Sequence, residues 1–558
     1  MTHTIQELIT RYDKPGPRYT GYPMPPAWND HLEESVLLEA IEAVSDQDDH
    51  LSLYIHLPFC KRRCSYCGCN VVISPQYDPV KSFLETLDKE ADLWKKSLVK
   101  PRKIIQMHWG GGTPNYLNSS DLSKVFYSIS SRFEILPNAE VSIEIDPTFL
   151  TEDQLPTLKD IGFNRVSFGV QDMDPEVQEL ITRGQTADQT IKAIQQAKSL
   201  GFKGINIDLV YGLPGQTLNS FEITIKKMIE LKPSRLAIYG FAYLPSLLPF
   251  QKSIPPEKLP QASERLNLLL MASDMLEKAG YVSIGMDHFS SPSDDLTIAL
   301  NAGKLGRNFM GYAPHVGEHM VSMGPSAISN IGNVYHQNHK NLNQWTQSIS
   351  EGHFAMSKGI KCTPDDLLRR WVIHTLMSEF KLIWSDFEAK WKIDGKAYFR
   401  NEIEALNAEV EYGTVLITND KIEISEIGKR FIRNLVMPFD RYLTNISIKF
   451  VYLLNLQHMI KKIFFSLLTL SYLTTFAQQS VTFNYTGAIQ TWTVPPCVYS
   501  IQVDVRGAKG GGIQGNPFVG SGQGGNGARV QHPSIAVTPG QVLEIRVGGN
   551  PTGPTGGW

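Results

Sequence analysis

The sequence predicts an α/β protein, a partial (β/α) barrel followed by a mainly helical, winged-helix-like C-terminal domain and a tail of different character. From Leu51 to about residue 290, short apolar β-like runs alternate with stretches of helical periodicity, as parallel strands joined by outer helices require. The residues able to do chemistry fall just after those runs, at the expected carboxyl ends of the strands, where barrel folds place their sites. From about residue 360 the alternation gives way to amphipathic helical segments.

Taken in order, residues 1–50 form a leader containing Gly16-Pro-Arg-Tyr-Thr-Gly-Tyr-Pro23, expected as a lid or as a surface arm packed on the barrel. The barrel is expected over 51–345, with strands at 51–57, 104–109, 141–146, 165–170, 205–210 and 235–241. Helical periodicity marks 79–97, 187–200 and 218–231, and 281–345 reads as loop-rich. The C-terminal domain, 346–445, has helical segments at 364–380 and 396–410, a hairpin at 415–424 and a final helix at 425–443.

Hydrophobic residues make up 42% of the chain and charged residues 20%, ordinary for a soluble globular protein. The formal net charge of -3 gives no sign of a polyanion partner and leaves a DNA role for the winged-helix pattern weakly supported. Met1 to Asp13 is polar and charged, unlike an export signal, so the front of the chain is expected in the cytoplasm, where thiols stay reduced.

The densest chemistry lies in Tyr54-Ile-His-Leu-Pro-Phe-Cys60-Lys-Arg-Arg-Cys64-Ser-Tyr66-Cys67-Gly-Cys69, which holds four of the 6 cysteines. Cys60, Cys64 and Cys67 have the spacing C-x3-C-x2-C. Three thiolates are one short of full ligation of a [4Fe–4S] cube, and the iron left over keeps an open position for a small molecule. Zinc with Cys69 as fourth ligand is the competing reading, but zinc sites usually pair two C-x2-C knuckles and no second knuckle is present. A disulfide framework does not suit a long chain whose first domain lacks an export signal.

Other strand ends add to the site. The run 104–109 leads into Gly110-Gly-Gly-Thr-Pro114, where glycines let backbone N–H groups approach a ligand. Glu144 and Asp146 lie two apart and need cationic partners if buried. Gln171 and Asp172 end the next run, Arg183 follows, and Asp208 sits between apolar neighbours before Tyr211-Gly-Leu-Pro-Gly215. Acids and an arginine at successive strand ends suit a zwitterionic ligand. In the loop-rich part His288, Arg307 and Tyr312 are candidate pocket residues, since carboxylates in a substrate call for arginine and hydroxyl donors. Cys362 is expected as a buried thiol.

The C-x3-C-x2-C spacing with Tyr66 before the third cysteine resembles the signature of radical S-adenosylmethionine (SAM) enzymes. The fuller string, Tyr-x-His-x-Pro-Phe-Cys followed by Cys-Gly-Cys-Asn, resembles the oxygen-independent coproporphyrinogen III oxidases over roughly residues 1–445. That resemblance implies a radical SAM barrel with Cys60, Cys64 and Cys67 as cluster ligands. It further implies that Tyr54, Gly111, Glu144 and Ile328 contact the cluster-bound SAM. Tyr66, Gly112, Thr113, Gln171, Arg183, Asp208 and Ala242 would hold a second SAM, and Tyr54 and Cys69 would take part in catalysis, with packing an equal alternative for Cys69. The implied reaction converts two propionates of coproporphyrinogen III to vinyl groups through a 5′-deoxyadenosyl radical, giving protoporphyrinogen IX. An electron donor and an acceptor are implied without being identified, and the enzyme is expected as a monomer. A haem-binding or haem-delivering relative is the rival reading; such relatives usually lack the leader and Cys69.

After Tyr442 the character changes. Met459 to Gln478 has the form of a secretory signal, with two lysines, an apolar run over 463–476 and a small-residue end. Beyond it the chain is Ser/Thr/Val-rich and then glycine-dense, with ten glycines in 507–527, resembling the opening of a secreted glycine-rich protein. The segments 446–478 and 479–558 are expected to be a fused, unrelated reading frame, with a membrane-tethering helix or a disordered extension as alternatives.

Overall fold

The computed structural model describes residues 5–443 except positions 13, 15, 99 and 101, and residues 481–506 and 529–545 except positions 485, 487, 496 and 497. The chain divides into two compact units, Met1–Leu456 and Gln457–Trp558.

The first unit is built on a twelve-stranded sheet. Its strands are β1 His50–Leu57, β2 Lys103–Gly111, β3 Glu134–Ile145, β4 Arg165–Gln171, β5 Gly204–Tyr211 and β6 Arg235–Gly240, then β7 Val282–Gly285, β8 His288–Ser290, β9 His319–Met323, β10 Ile328–Ile331, β11 Val334–Asn338 and β12 Met356–Lys361. The order across the sheet is β12-β11-β10-β9-β1-β2-β3-β4-β5-β6-β8-β7. Strands β9 and β1 to β6 run parallel to their neighbours. The strands at both edges are antiparallel. All six expected strands are present, and the expected helices lie at Pro79–Ser97, Ala187–Ser199 and Leu218–Leu231.

The parallel strands alternate in polarity. Leu53, Ile55, Met107, Trp109, Ile143, Phe168, Ile207 and Ile238 are buried in the main core. The alternate positions carry Tyr54, His108, Glu144, Ser167, Asp208 and Tyr239. The last five of these line one cavity, so the inside of the barrel is polar.

The region 281–345 is not the loop-rich stretch expected. It supplies β7 to β11, and the sheet runs on through β12, past the expected boundary at 345. These strands are short and punctuated by Gly317, Gly324, Pro325 and Gly332, which hides their periodicity. Their pairing answers a need of the sheet, because β1 would otherwise end it with an unpaired edge.

The C-terminal part places Pro364–Glu379 beside a three-stranded sheet of Lys381–Ile383, Lys421–Ile424 and Val415–Ile417, in that order. The expected helix over 425–443 is broken into Glu426–Lys429, Ile432–Leu435 and the 3-10 turn Met437–Phe439. Phe431 leaves helical geometry at φ -114, and Pro438 has no N–H with which to continue a helix. Leu8, Tyr12, Tyr19 and Tyr22 of the leader belong to this domain's core. Tyr12 donates to Glu409, Tyr19 donates to Asp440 at 3.1 Å, and Tyr22 accepts from the Arg441 N–H at 3.2 Å. The leader is thus a strap packed into the C-terminal core. The second unit's described residues pair Gln490–Thr493 with Val542–Ile545 and Ser500–Arg506 with Arg529–Ala536. The signal-like segment 459–478, within 446–478, lies outside the described residues.

Glu90, fully enclosed on helix Pro79–Ser97, fixes the turn between β9 and β10. It accepts from the Gly324 N–H at 2.7 Å, the Asn338 amide at 2.7 Å and the Trp345 indole at 3.1 Å. Burial raises its pKa to about 8 against these three donors. Because the folded carboxyl holds its proton more tightly than the unfolded one, its contribution is full below about pH 4.5 and declines as pH rises to about 8. Glu90→Ala leaves the donors unpaired and should cost about 3 kcal/mol. Denaturant titrations at pH 5 to 8 should also show a flatter pH slope than wild type.

Candidate active site

The cysteine loop grows from the end of β1. Phe59–Cys60 pairs in parallel with Val72–Ile73 and closes the loop at its base. Phe59 anchors it, stacked on Tyr116 and set edge-on to Phe83. The Gly112 N–H donates to the Leu57 carbonyl at 2.8 Å and the Thr113 N–H to the Phe59 carbonyl at 2.9 Å, so the glycine turn after β2 clasps the loop from beneath. A Cβ on Gly112 would stand 2.5 Å from the Pro58 carbonyl oxygen, and only glycine fits.

Each of the three thiols meets a different neighbour. Cys60 Sγ lies 3.3 Å from Thr113 Oγ1, Cys64 Sγ is 3.8 Å from Arg183 Nη1, and Cys67 Sγ accepts from the Cys69 N–H at 3.5 Å. Burial pushes Cys60 up to about 12 and raises Cys64 despite Arg183. Cys67 is held down to about 6, chiefly by a hydrogen bond from the exposed Cys69. Among the described residues no three His, Cys, Asp or Glu side chains converge on a point suited to one metal ion.

Arg183 is the hub beside the loop. It donates to the Gly169 carbonyl at 2.7 Å, to Gln185 at 2.9 Å and to the Tyr66 hydroxyl at 3.3 Å, and its Nη2 lies 3.2 Å from Asp146 Oδ1. Gln171 stands at φ 69 beside it, and a Cβ on Gly169 would lie 2.9 Å from the Gln171 amide. Of the two strand-end acids, Asp146 therefore finds its cation. Glu144 instead accepts from the Gly111 N–H at 3.3 Å, with His108 Nε2 also 3.3 Å away.

A second cluster lines the barrel interior. The Tyr54 hydroxyl is 3.2 Å from His56 Nδ1, and the Tyr54 ring stacks on His108. His56 in turn contacts the Asn70 carbonyl at 2.9 Å, tying β1 to the far end of the cysteine loop. Asp208 accepts from Ser167 at 2.7 Å and Asn206 at 3.0 Å, and burial raises its pKa to about 6. His108, Glu144, Asp208, Tyr239, His288 and Tyr312 share the wall of a cavity of about 120 Å³.

Ile328 reaches this neighbourhood through its backbone, its carbonyl accepting from Ser322, the register partner of Tyr54. Ala242 is exposed on the loop after β6, its carbonyl accepting from Gln251 at 3.1 Å, and no described contact joins it to the other candidates. Asp172 is a satisfied structural acid, bound by Thr224 and Gln216 at 2.6 Å each. Cys362 is buried, as expected. His56, His108, Ser142 and Asn206 were not singled out from the sequence. For His56, Ser142 and Asn206 the signal was alternation, since they lie two residues from Tyr54, Glu144 and Asp208 on the same strands, while His108 stands two before the glycine turn that begins at Gly110.

The sequence model of the Radical SAM superfamily matches residues 54–228. The oxygen-independent coproporphyrinogen III oxidase of Salmonella typhimurium is 39% identical over 436 residues, covering 78% of this chain and 95% of that protein. That of Synechocystis is 38% identical over 445 residues, 79% of this chain and 96% of that protein. The solved structure of the Escherichia coli coproporphyrinogen III oxidase, described as a radical SAM enzyme, superposes with a TM-score of 0.75 at 37% identity, covering 79% of this chain and 99% of that one. The chain belongs to the oxygen-independent coproporphyrinogen III oxidase family. Its members use a [4Fe–4S] cluster and SAM, and the donor set fits. Three soft thiols on one loop suit three irons of a cube, and Glu144, Arg183 and Asp208 suit a zwitterion.

In this family member, Arg183→Met should leave Asp146 buried without a cation and cost roughly 3 kcal/mol. Adding Asp146→Asn should restore most of the loss in denaturant titration, which tests whether the pair carries the effect.

Proposed function

We propose that this chain catalyses the oxygen-independent oxidative decarboxylation of coproporphyrinogen III to protoporphyrinogen IX in haem biosynthesis. The observation that carries the reading is the three-thiol loop clasped at the mouth of a polar-lined barrel, in a chain that aligns with 95% of a coproporphyrinogen III oxidase.

Cys60, Cys64 and Cys67 are assigned to the cluster. When bound, the cluster and SAM supply a carbon radical able to take a hydrogen atom from an unactivated propionate carbon. The protein's work is positioning. Gly111, Glu144, Tyr54 and Ile328 are assigned to the SAM nearest the cluster. Tyr66, Gly112, Thr113, Gln171, Arg183, Asp208 and Ala242 are assigned to a second SAM. In this division the guanidinium of Arg183 faces a carboxylate, and the carboxylates of Glu144 and Asp208 face amino or hydroxyl groups. Half-buried Tyr54, stacked on His108, is assigned to keeping water from the reacting carbon. Cys69, hydrogen-bonded to Cys67, is assigned to proton or electron handling beside the cluster.

The family's length accounts for about residues 1–445, which we assign to the leader strap, barrel and C-terminal domain. The remainder is assigned to a separate reading frame. The first unit is assigned to the cytoplasm, and among the described residues no helix is long and apolar enough to cross a membrane.

The test is oxygen-free incubation of reconstituted protein with coproporphyrinogen III, SAM and a reductant, followed by detection of vinyl products and 5′-deoxyadenosine. Both should form. SAM cleavage without vinyl product would overturn the substrate assignment. Cys60→Ala, Cys64→Ala and Cys67→Ala should each lose cluster absorbance and bound iron, whereas Cys69→Ala should retain both and lose turnover.

A further inference from the structure

A buried guanidinium without a counter-ion is costly, and the chain holds one where the C-terminal domain meets the barrel. Arg307 is only 5% exposed, and its Nε and Nη1 atoms have no hydrogen-bond partner among the described residues. Its remaining nitrogen donates to the Arg18 carbonyl at 2.9 Å, and its plane lies over the Tyr312 ring, 4.3 Å from the centroid. Arg370, on helix Pro364–Glu379, donates to the Tyr335 hydroxyl at 3.1 Å and to Asn330 at 3.5 Å, with no carboxylate in ion-pair range among the described residues. The nearby acids are engaged elsewhere. Asp287 is 2.8 Å from Arg18, and Asp366 is 3.2 Å from Arg441. His374, one turn beyond Arg370, has its Nε2 buried without a partner, and burial together with Arg370 and Arg307 keeps the ring neutral.

This cluster adjoins both parts of the site. Tyr312, under Arg307, lines the barrel cavity together with Met310 and His288. Asn330, which receives Arg370, lies two residues along β10 from Ile328. An anion held here would sit at the rim of the same cavity that Glu144 and Asp208 line.

We propose that Arg307 and Arg370, with His374 beside them, form the receptor for a propionate carboxylate of the tetrapyrrole substrate, anchoring it by a side chain other than the one reacting. The proposal rests on the functional reading above and specifies which residues take the substrate's charge. Two guanidinium groups and a neutral imidazole N–H offer fork-shaped donation to one carboxylate. The C-terminal domain, through Arg370 and His374, becomes part of the substrate site. A SAM carboxylate has the same chemistry, and the experiment separates the two sources.

Full-length, cluster-reconstituted protein is titrated under oxygen-free conditions with coproporphyrin III and with its tetramethyl ester, following porphyrin fluorescence. SAM binding is measured in parallel by equilibrium dialysis. Wild type should bind the free acid more tightly than the ester. Arg307→Met and Arg370→Met should each weaken free-acid binding by roughly 10- to 100-fold, with ester and SAM binding unchanged. Arg307→Lys should recover part of the loss. Thermal midpoints of the Met variants should equal or exceed wild type, because an unpaired buried charge is removed. Free-acid affinity unchanged in both Met variants would overturn the receptor, and a selective loss of SAM affinity would reassign it to SAM. Wild type binding neither porphyrin would overturn the substrate reading itself, and the receptor with it.

Discussion

The site depends on the backbone clasp between the glycine turn after β2 and the base of the cysteine loop. Gly112 and Thr113 donate their N–H groups to Leu57 and Phe59, and the close approach leaves no room for a side chain on Gly112. Gly111 next to it adopts φ +115, with a hypothetical Cβ 2.7 Å from the His56 ring. Strain-free backbone at these two positions holds the three-thiol loop against the ends of β1 and β2, with Glu144 on the Gly111 N–H. The loop itself has few apolar anchors besides Phe59, so its position is inherited from the strands it bridges.

Charge inside the barrel is organised in two ways. Towards the amino ends of the strands, where Arg165 opens β4 and Arg235 opens β6, charges satisfy one another: the two arginines share Glu140 and Asp294 at 2.8 to 3.0 Å. Towards the carboxyl ends of the strands, charges are incompletely matched. Glu144 relies on a backbone N–H and a histidine, Asp208 on hydroxyl and amide donors, and Arg307 on a ring face. Incomplete pairing is tolerable there because a bound zwitterion or carboxylate can complete it.

Much of this was readable in the chain itself. The six parallel strands and three long helices followed from alternation of period, and the thiol loop from spacing alone. The strands between 281 and 361 were not readable, since runs of three to six residues broken by glycine carry too little periodicity to be told from loop. The final helix failed for a local reason, Phe431 and Pro438, that amphipathic spacing conceals. His108 was passed over because a lone histidine on a strand has no partner in sequence; its partners are Ser142 and Glu144, supplied by the next strand. His56 stood in the quoted motif without a role, which its contacts to Tyr54 and Asn70 supply.

By itself, the sequence determined the class of fold, the three-thiol motif and the acids and arginine at successive strand ends, because period and spacing are local properties of the chain. Only the tertiary structure decided which of those charges are spent on each other and which are left for a ligand. It joined Arg183 to Asp146, folded the leader into the C-terminal core and packed the helix that carries Arg370 against the strand that carries Arg307, with neither in an ion pair among the described residues. Such pairings link residues tens to hundreds of positions apart, and their energies exist only once the strands have brought them together.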